Sequence, residues 1–577
     1  MRVGSGAFAA CCVAVEVVGL ALFLRGFFPA PVRSSRAERG LEPPAPEPAA
    51  GTSSNWTKLP PPLFSKAVIM LIDALRDDFV FGSKGVKYMP YTTYLMEKGA
   101  SHSFVAKAEP PTVTMPRIKA LMTGSLPGFV DVIRNLNSPA LLEDNVIRQA
   151  KAAGKRIIFY GDETWVKLFP KHFMEYDGTT SFFVSDYTEV DNNVTRHLDR
   201  VLKRGDWDIL ILHYLGLDHI GHISGPNSPL IGHKLSEMDS ILMKIHTSLL
   251  SKERETLSPN LLVLCGDHGM SETGSHGASS TEEVSTPLLL ISSAFERRPG
   301  EIRHTKHVQQ TDLAATLATG LGLPIPKDSV GSLLFPVVEG KPMREQLRFL
   351  HLNTVQLSKL LQENVPSYEK DPGFEQFKMA EKLHGNWVKL HLEENNSDVL
   401  LGLGTKVLRQ YLGALKTLSL SLSTQVAQYD IYSMVVGTVV VLEGNSNNIA
   451  TIDVSAGFVG LDTYMEVPAT FLTVFGTYVG PVLWASHLAH FLSSATSSGS
   501  ALRCACFCYA LICSVPVATY IILVTSLRYH LFIWSVFSPK LLYEGMHLLI
   551  TAALCALFTA MDQTGHTRMY MKTDTRS

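Results

Sequence analysis

Seven residues have the types and spacing to hold divalent metal and activate a hydroxyl. Asp73 ends an apolar run in Leu71-Ile-Asp-Ala-Leu-Arg, and Thr114 stands in Pro110-Pro-Thr-Val-Thr-Met-Pro-Arg. Asp218 and His222 lie in Leu217-Asp-His-Ile-Gly-His, Asp267 and His268 in Gly266-Asp-His-Gly-Met, and His276 in Gly274-Ser-His-Gly. Carboxylates and imidazoles are the donors that suit zinc, and the adjacent glycines permit close backbone approach. Taken singly, each piece has an ordinary reading: an Asp after a strand is a turn or cap residue, and a Thr ahead of Met-Pro is a cap. Their clustering at several predicted strand ends is what points to a site.

A threonine hydroxyl is a weak nucleophile at neutral pH and needs a base or a metal. No histidine lies near Thr114 in sequence. Two metal ions roughly 4 Å apart would supply what is missing, one lowering the hydroxyl's pKa and the other holding a phosphoryl oxygen. Residue type and spacing therefore support metal-assisted phosphoryl transfer and nothing narrower.

The elements that must position these residues follow from periodicity. Ala67 to Ile72, Arg156 to Tyr160, Trp207 to Leu212 and Leu261 to Cys265 are short apolar, β-branched runs that stop at Asp73, Gly161-Asp162, His213 and Gly266-Asp267. Helix-like stretches lie between them at Asn145 to Ala153, Asn193 to Leu202 and Ile231 to Leu250, and another from Arg117 to Met122 follows Thr114. This alternation predicts an α/β fold, a mostly parallel sheet with helices on both faces and ligands bound beyond the carboxyl ends of the strands.

Outside that region the composition shifts. The 577-residue chain is 46% hydrophobic and 18% charged, and from Glu443 to Met561 only eight residues carry charge. Residues 1–28 read as a signal-anchor helix, with a cleaved signal peptide as the rival, and 29–62 as a Pro-rich linker. Residues 63–430 form the water-soluble domain and 431–467 a partly apolar connection containing the weak segment Ile431 to Leu442. Residues 468–562 form a helical membrane region with about three spans, Ala469 to Leu492, Cys504 to Thr525 and Glu544 to Met561, before a cytoplasmic tail, 563–577. Arg25, Arg33, Arg36 and Arg39 after the first span argue for a cytoplasmic domain, but sequons at Asn55, Asn193 and Asn395 tip the expectation toward a glycosylated, lumenal one. A net charge of -2 excludes a field that would attract nucleic acid. One of the eight cysteines, Cys265, lies in the soluble part, so no disulfide framework is possible there.

The order Asp, Thr, Asp-x-x-x-His, Asp-His, His resembles the phosphodiesterase-like branch of the alkaline phosphatase superfamily. That resemblance implies an alkaline-phosphatase-like fold and two Zn2+, one held by Asp73, Thr114, Asp267 and His268, the other by Asp218, His222 and His276. His219 is not carried over as a ligand. Thr114 stands where sulfatases have a modified Cys or Ser, which disfavours sulfate esters.

Phe64-Ser-Lys-Ala-Val-Ile-Met-Leu-Ile-Asp-Ala-Leu-Arg, Pro111-Thr-Val-Thr-Met-Pro-Arg-Ile-Lys-Ala-Leu-Met-Thr-Gly, Gly161-Asp-Glu-Thr-Trp and His213-Tyr-Leu-Gly-Leu-Asp-His-Ile-Gly-His are similar to the GPI ethanolamine-phosphate transferases. The resemblance implies transfer of phosphoethanolamine from a phosphatidylethanolamine donor to a mannose, the second, of a mannosylated GPI lipid acceptor through a Thr114-linked intermediate. It implies the endoplasmic reticulum membrane with a lumenal catalytic domain, and a small multispanning stabilising subunit of the PIG-F type. Family members carry a longer membrane region, and the passage from Ile431 to Leu442 into Gly444-Asn-Ser-Asn-Asn has the look of a deletion joint. Two rivals stay open: a membrane-anchored metal-dependent phosphodiesterase that uses water as acceptor, and a non-catalytic membrane subunit.

Overall fold

The computed structural model describes residues 33–34, 44–48 and 58–426, apart from short segments within that last range. All five apolar segments named above, together with Asn55 and Asn395, lie outside the described residues. Among the described residues, no helix is long and apolar enough to cross a membrane. The described residues all belong to one compact unit within 30–427.

Among the described residues, eight strands build a single sheet: β1 (Ala67–Ile72), β2 (Ser101–Lys107), β3 (Ile157–Asp162), β4 (Glu175–Thr179), β5 (Ile209–Tyr214), β6 (Leu261–Gly266), β7 (Ser285–Ile291) and β8 (Lys306–Gln309). The spatial order is β4-β3-β5-β1-β6-β7-β2-β8. β4, β3, β5, β1 and β6 run parallel; β7 is antiparallel to both its neighbours, and β8 pairs parallel with β2. Continuously apolar strands such as Ala67-Val-Ile-Met-Leu-Ile are what a sheet covered on both faces requires.

The two faces are separated by the period of the strand. Ala67, Ile69 and Leu71 pack with Met115, Ile118 and Leu121 of α1 (Thr114–Thr123), Val146 and Ile147 of α2 (Val146–Ala152), Trp165 and Leu168 of α3 (Thr164–Leu168) and Leu313 and Leu317 of α7 (Asp312–Gly320). Val68, Met70 and Ile72 pack on the opposite side with Leu217 and Ile220 of α5 (Gly216–Ser224) and Ile231, Leu235 and Met238 of α6 (Pro229–Thr256). Each fully buried Leu or Ile contributes roughly 1.5–3 kcal/mol, so this two-sided core outweighs any surface ion pair.

Three differences from the sequence-based elements matter. The helix expected from Asn193 to Leu202 is two pieces, α4 (Glu189–Thr195) and Leu198–Lys203. β3 and β5 each run past their expected polar stops, so Gly161, Asp162 and His213 are strand residues, all buried. A layer of three long helices, α8 (Met343–Asn364), α9 (Pro372–Leu392) and α10 (Asp398–Val426), extends the first core, with Val407, Tyr411, Ala414, Leu418 and Leu422 giving α10 its buried stripe. The described residues of the proline-rich stretch are docked on this unit: Ser34 N–H donates to Asp328 at 2.7 Å, and Glu47 is buried against Arg344 at 2.9 Å.

Candidate metal centre

Strand register sets the first part of the site. Ile72 is level with Tyr214 of β5 and Gly266 of β6, so Asp73 and Asp267 leave adjacent strands at one height. Asp73 N–H donates to the Tyr214 carbonyl at 2.9 Å, and the chain turns through Ala74 in the left-handed region, φ 57°. A non-glycine residue there is strained, and it aims the Ala74 N–H at Asp267 Oδ1, 3.2 Å away. His268 N–H bonds the same oxygen at 2.8 Å. Oδ1 of Asp267 is therefore spent on backbone, and Oδ2 faces the site.

Asp218 and His222, four residues apart on α5, share one helix face, with His222 Nε2 3.4 Å from Asp218 Oδ1. Buried Asp191 on α4 holds the start of that helix by accepting the N–H groups of Leu215 and Gly216, and its other oxygen pairs with Lys234. His276 arrives on a loop that must touch α5 closely. At Gly274, φ 77°, an added Cβ would lie 1.9 Å from the Gly221 carbonyl oxygen, so only glycine fits. The loop is pinned to the start of α1: His276 Nδ1 donates to the Thr112 carbonyl at 2.8 Å, and Thr112 Oγ1 accepts the Gly277 N–H at 2.8 Å. Thr114, two residues on, is the first residue of α1 and partly exposed at its positive end.

The pieces converge. His276 Nε2 is 3.6 Å from Asp218 Oδ1, and these two with His222 offer donor atoms within 4.8 Å of one another. His268 Nε2 lies 3.3 Å from Asp73 Oδ1 and 3.4 Å from Asp267 Oδ2. The His268 and His276 rings stack with centroids 4.0 Å apart, which joins the two groups. Sequence reasoning assigned no role to three neighbours: His213, 3.5 Å from Asp73; Asn135, whose side chain accepts the Met115 N–H at α1's start; and Gln310, which donates to the Gly266 and Asp267 carbonyls and accepts from Arg117. His213 and Gln310 are buried polar residues, but nothing in their sequence context reveals where they point. His219, not taken as a ligand, bonds the Asp186 carbonyl.

The donor set fits a divalent metal on a test independent of residue type. Asp73 Oδ1, Asp218 Oδ1, His222 Nε2, Asp267 Oδ2 and His268 Nε2 are buried and have no hydrogen-bond partner among the described residues. His213 Nε2 beside them is partnerless too. Each such atom costs about 1–3 kcal/mol, so a cluster of this size at one end of the sheet fits bound cations. The tautomers agree. His268 Nδ1 and His276 Nδ1 each face a carbonyl, Gly269 and Thr112, so each carries its proton there and leaves Nε2 a free lone pair.

Electrostatics pull the carboxylates apart. Burial, then the Asp267 charge, pushes Asp73 well up, and burial lifts Asp267 to about 6. Asp218 goes the other way: burial opposes its charge, but His222 and His276 outweigh it and hold it low. Burial drives His268 down to about 4 and His276 to about 3, keeping both imidazoles neutral as ligation requires.

A mixed sheet with carboxylates and imidazoles at its strand ends, tied through Thr112 to the helix that Thr114 begins, defines a metal-dependent enzyme with an alkaline-phosphatase-like fold. The family described as type I phosphodiesterase / nucleotide pyrophosphatase matches residues 142–288, and the GPI ethanolamine phosphate transferase membrane region matches 403–564. The human protein named GPI ethanolamine phosphate transferase 2, catalytic subunit, is 51% identical over 978 aligned positions that span 98% of this chain and all of the relative. GPI ethanolamine phosphate transferase 2 of Aspergillus fumigatus is 44% identical over 55% of this chain and 41% of its own length; that of Schizosaccharomyces pombe is 42% identical over 56% and 43%. The chain belongs to the GPI ethanolamine phosphate transferase family of enzymes, in its type 2 branch. The 978 positions of the human comparison exceed the 577 residues by 401, so the alignment carries a large gap on this side, while the chain spans about two fifths of the fungal relatives.

Proposed function

We propose that this protein transfers phosphoethanolamine from phosphatidylethanolamine to a mannose, the second, of a GPI precursor, through a covalent intermediate on Thr114. Thr114 Oγ attacks phosphorus, the bond to diacylglycerol oxygen breaks, and the hydroxyl proton leaves with the diacylglycerol. A mannose hydroxyl then attacks the same phosphorus and Oγ recovers a proton. Two zinc ions, one at Asp73, Thr114, Asp267 and His268 and the other at Asp218, His222 and His276, would supply the charge that makes Oγ nucleophilic and neutralises the phosphoryl oxygens. The chain's own contribution is placement: the α1 N-terminus favours negative charge at Thr114, and the Thr112 clamp ties His276 to the turn two residues before it. The reading places the domain in the endoplasmic reticulum lumen, glycosylated, with a small multispanning subunit of the PIG-F type as partner.

The observation that carries this reading is the convergence of five buried, partnerless donor atoms at the strand ends, tied through His276 and Thr112 to the start of Thr114's helix. The test supplies purified full chain with ethanolamine-labelled phosphatidylethanolamine and a GPI precursor, following label on protein and on glycan separately. Adduct is expected on Thr114, absent in Thr114→Ala at unchanged thermal stability and partly retained in Thr114→Ser. An adduct mapped to another residue overturns the assignment. The phosphodiesterase match favours a second reading, hydrolysis, which would appear as free labelled phosphoethanolamine with no labelled glycan even when precursor is saturating. Adduct that forms normally while glycan transfer fails would show that the shortened membrane region limits acceptor use.

A further inference from the structure

His213 on β5 is wholly buried, and Asp73, His213 and Asp267 together offer three donor atoms within 4.8 Å, the outward appearance of a metal ligand set. The other ring nitrogen of His213 decides against that. Nδ1 lies 3.1 Å from Trp165 Nε1. An indole N–H only donates, so Nδ1 must hold the lone pair, and the proton of the neutral ring sits on Nε2. Nε2 has no hydrogen-bond partner among the described residues; its neighbour is Asp73 Oδ2 at 3.5 Å, about half an ångström beyond a formed hydrogen bond. A protonated Nε2 has nothing to give a cation. His268 and His276 have the opposite arrangement, with Nδ1 on a carbonyl and Nε2 bare.

The segment Gly161-Asp-Glu-Thr-Trp accounts for how this comes about. At Gly161, φ 142°, an added Cβ would lie 2.4 Å from the His213 carbonyl oxygen and 2.7 Å from its Cβ, so β3 reaches β5 there only as glycine. Asp162 Oδ1 then accepts the Thr164 N–H at 2.9 Å, turning the strand into α3. One residue further, α3 delivers the buried Trp165 to His213.

We propose that Gly161 to Trp165 and His213 form an outer brace of the metal centre: Trp165 fixes the His213 tautomer, and His213, a positioning residue and not a ligand, donates Nε2–H to Asp73 Oδ2 so that Oδ1 is turned to the cation. The proposal rests on the reading of Asp73 as a ligand. The test uses full chain in detergent, with zinc affinity by chelator competition, the visible spectrum of the Co2+-substituted protein, and thermal unfolding in chelator as the folding control. His213→Leu and Trp165→Phe are expected to weaken zinc binding about 10- to 100-fold with the Co2+ bands unmoved. His213→Gln, which keeps an N–H near the Nε2 position, is expected to recover most of the affinity. Asp73→Asn should lose one tightly bound equivalent and alter the bands. Wild-type affinity in His213→Leu, or bands in His213→Gln that shift as in Asp73→Asn, overturns the brace. Two tight equivalents retained in Asp73→Asn would overturn the ligand reading itself, an outcome separable from the others.

Discussion

His276 and Thr112 are 164 residues apart in sequence, yet the imidazole Nδ1–H of one donates to the carbonyl of the other at 2.8 Å. This single bond fixes the histidine's tautomer, turns Nε2 toward Asp218, and ties the loop that carries it to the residue two before Thr114. Thr112 doubles the link, since Oγ1 accepts the Gly277 N–H and donates to the Ala278 carbonyl, each at 2.8 Å. Thr112→Val keeps shape and loses both bonds, at a cost of about 1–3 kcal/mol. We expect a lower melting temperature and weaker zinc binding, with both restored in Thr112→Ser. Calorimetry with and without chelator checks this, and unchanged zinc affinity in the valine variant would show that the clamp does not position His276.

Asp267→Asn keeps Oδ1 for the Ala74 and His268 N–H groups but replaces Oδ2 with an N–H2 group facing the site. The fold should therefore survive while bound metal falls from two equivalents per chain toward one, with affinity at that position down about 100-fold or more. His222→Ala should do the same for the Asp218 group. Elemental analysis of the purified variants reads the stoichiometry; two equivalents in both would assign these residues elsewhere.

The pH dependence has a definite sign. Asp267 lies near 6 through burial, against 3.8 for an exposed carboxyl, and Asp73 is raised as well. Between about pH 4 and 6 these two carboxyls thus hold protons in the metal-free fold that they lose in the unfolded chain, and their own contribution to its stability falls as pH rises through that window. A cation must displace those protons, so zinc affinity should climb as pH rises through about 6 and then level. Melting temperatures at pH 5 and 7, with zinc and with chelator, should show a larger zinc increment at pH 7; an equal or smaller one contradicts the assignment.

Asn193 lies on α4 with its side chain partly exposed, so a glycan can be accommodated there in a lumenal domain. Protein from eukaryotic cells should shift on a gel after glycosidase treatment, and Asn193→Gln should remove part of that shift. A glycosidase-insensitive wild-type protein would return the domain to the cytoplasmic side indicated by the flanking arginines.

What the sequence determined by itself was local chemistry. Asp73, Asp267 and His268 were legible because apolar β-branched runs end at them, and Asp218 with His222 because four residues make one helical turn. Side-chain type and short-range period carry that information. The tertiary structure decided everything that depends on a partner far along the chain. His213 appeared to be the polar stop of a strand; only Trp165, 48 residues away, gives its ring a tautomer that sets it apart from the candidate ligands His268 and His276. Gln310 became visible only when α7's approach set it against Gly266, Asp267 and Arg117. β2 and β7 were not among the strands read from the sequence, and their antiparallel pairing is fixed by cross-strand hydrogen bonds and not by composition. A hydrogen bond has a direction and a length, which sequence spacing does not encode, so the residue types of the candidate metal donors were written in the chain while their protonation, aim and support were settled by folding.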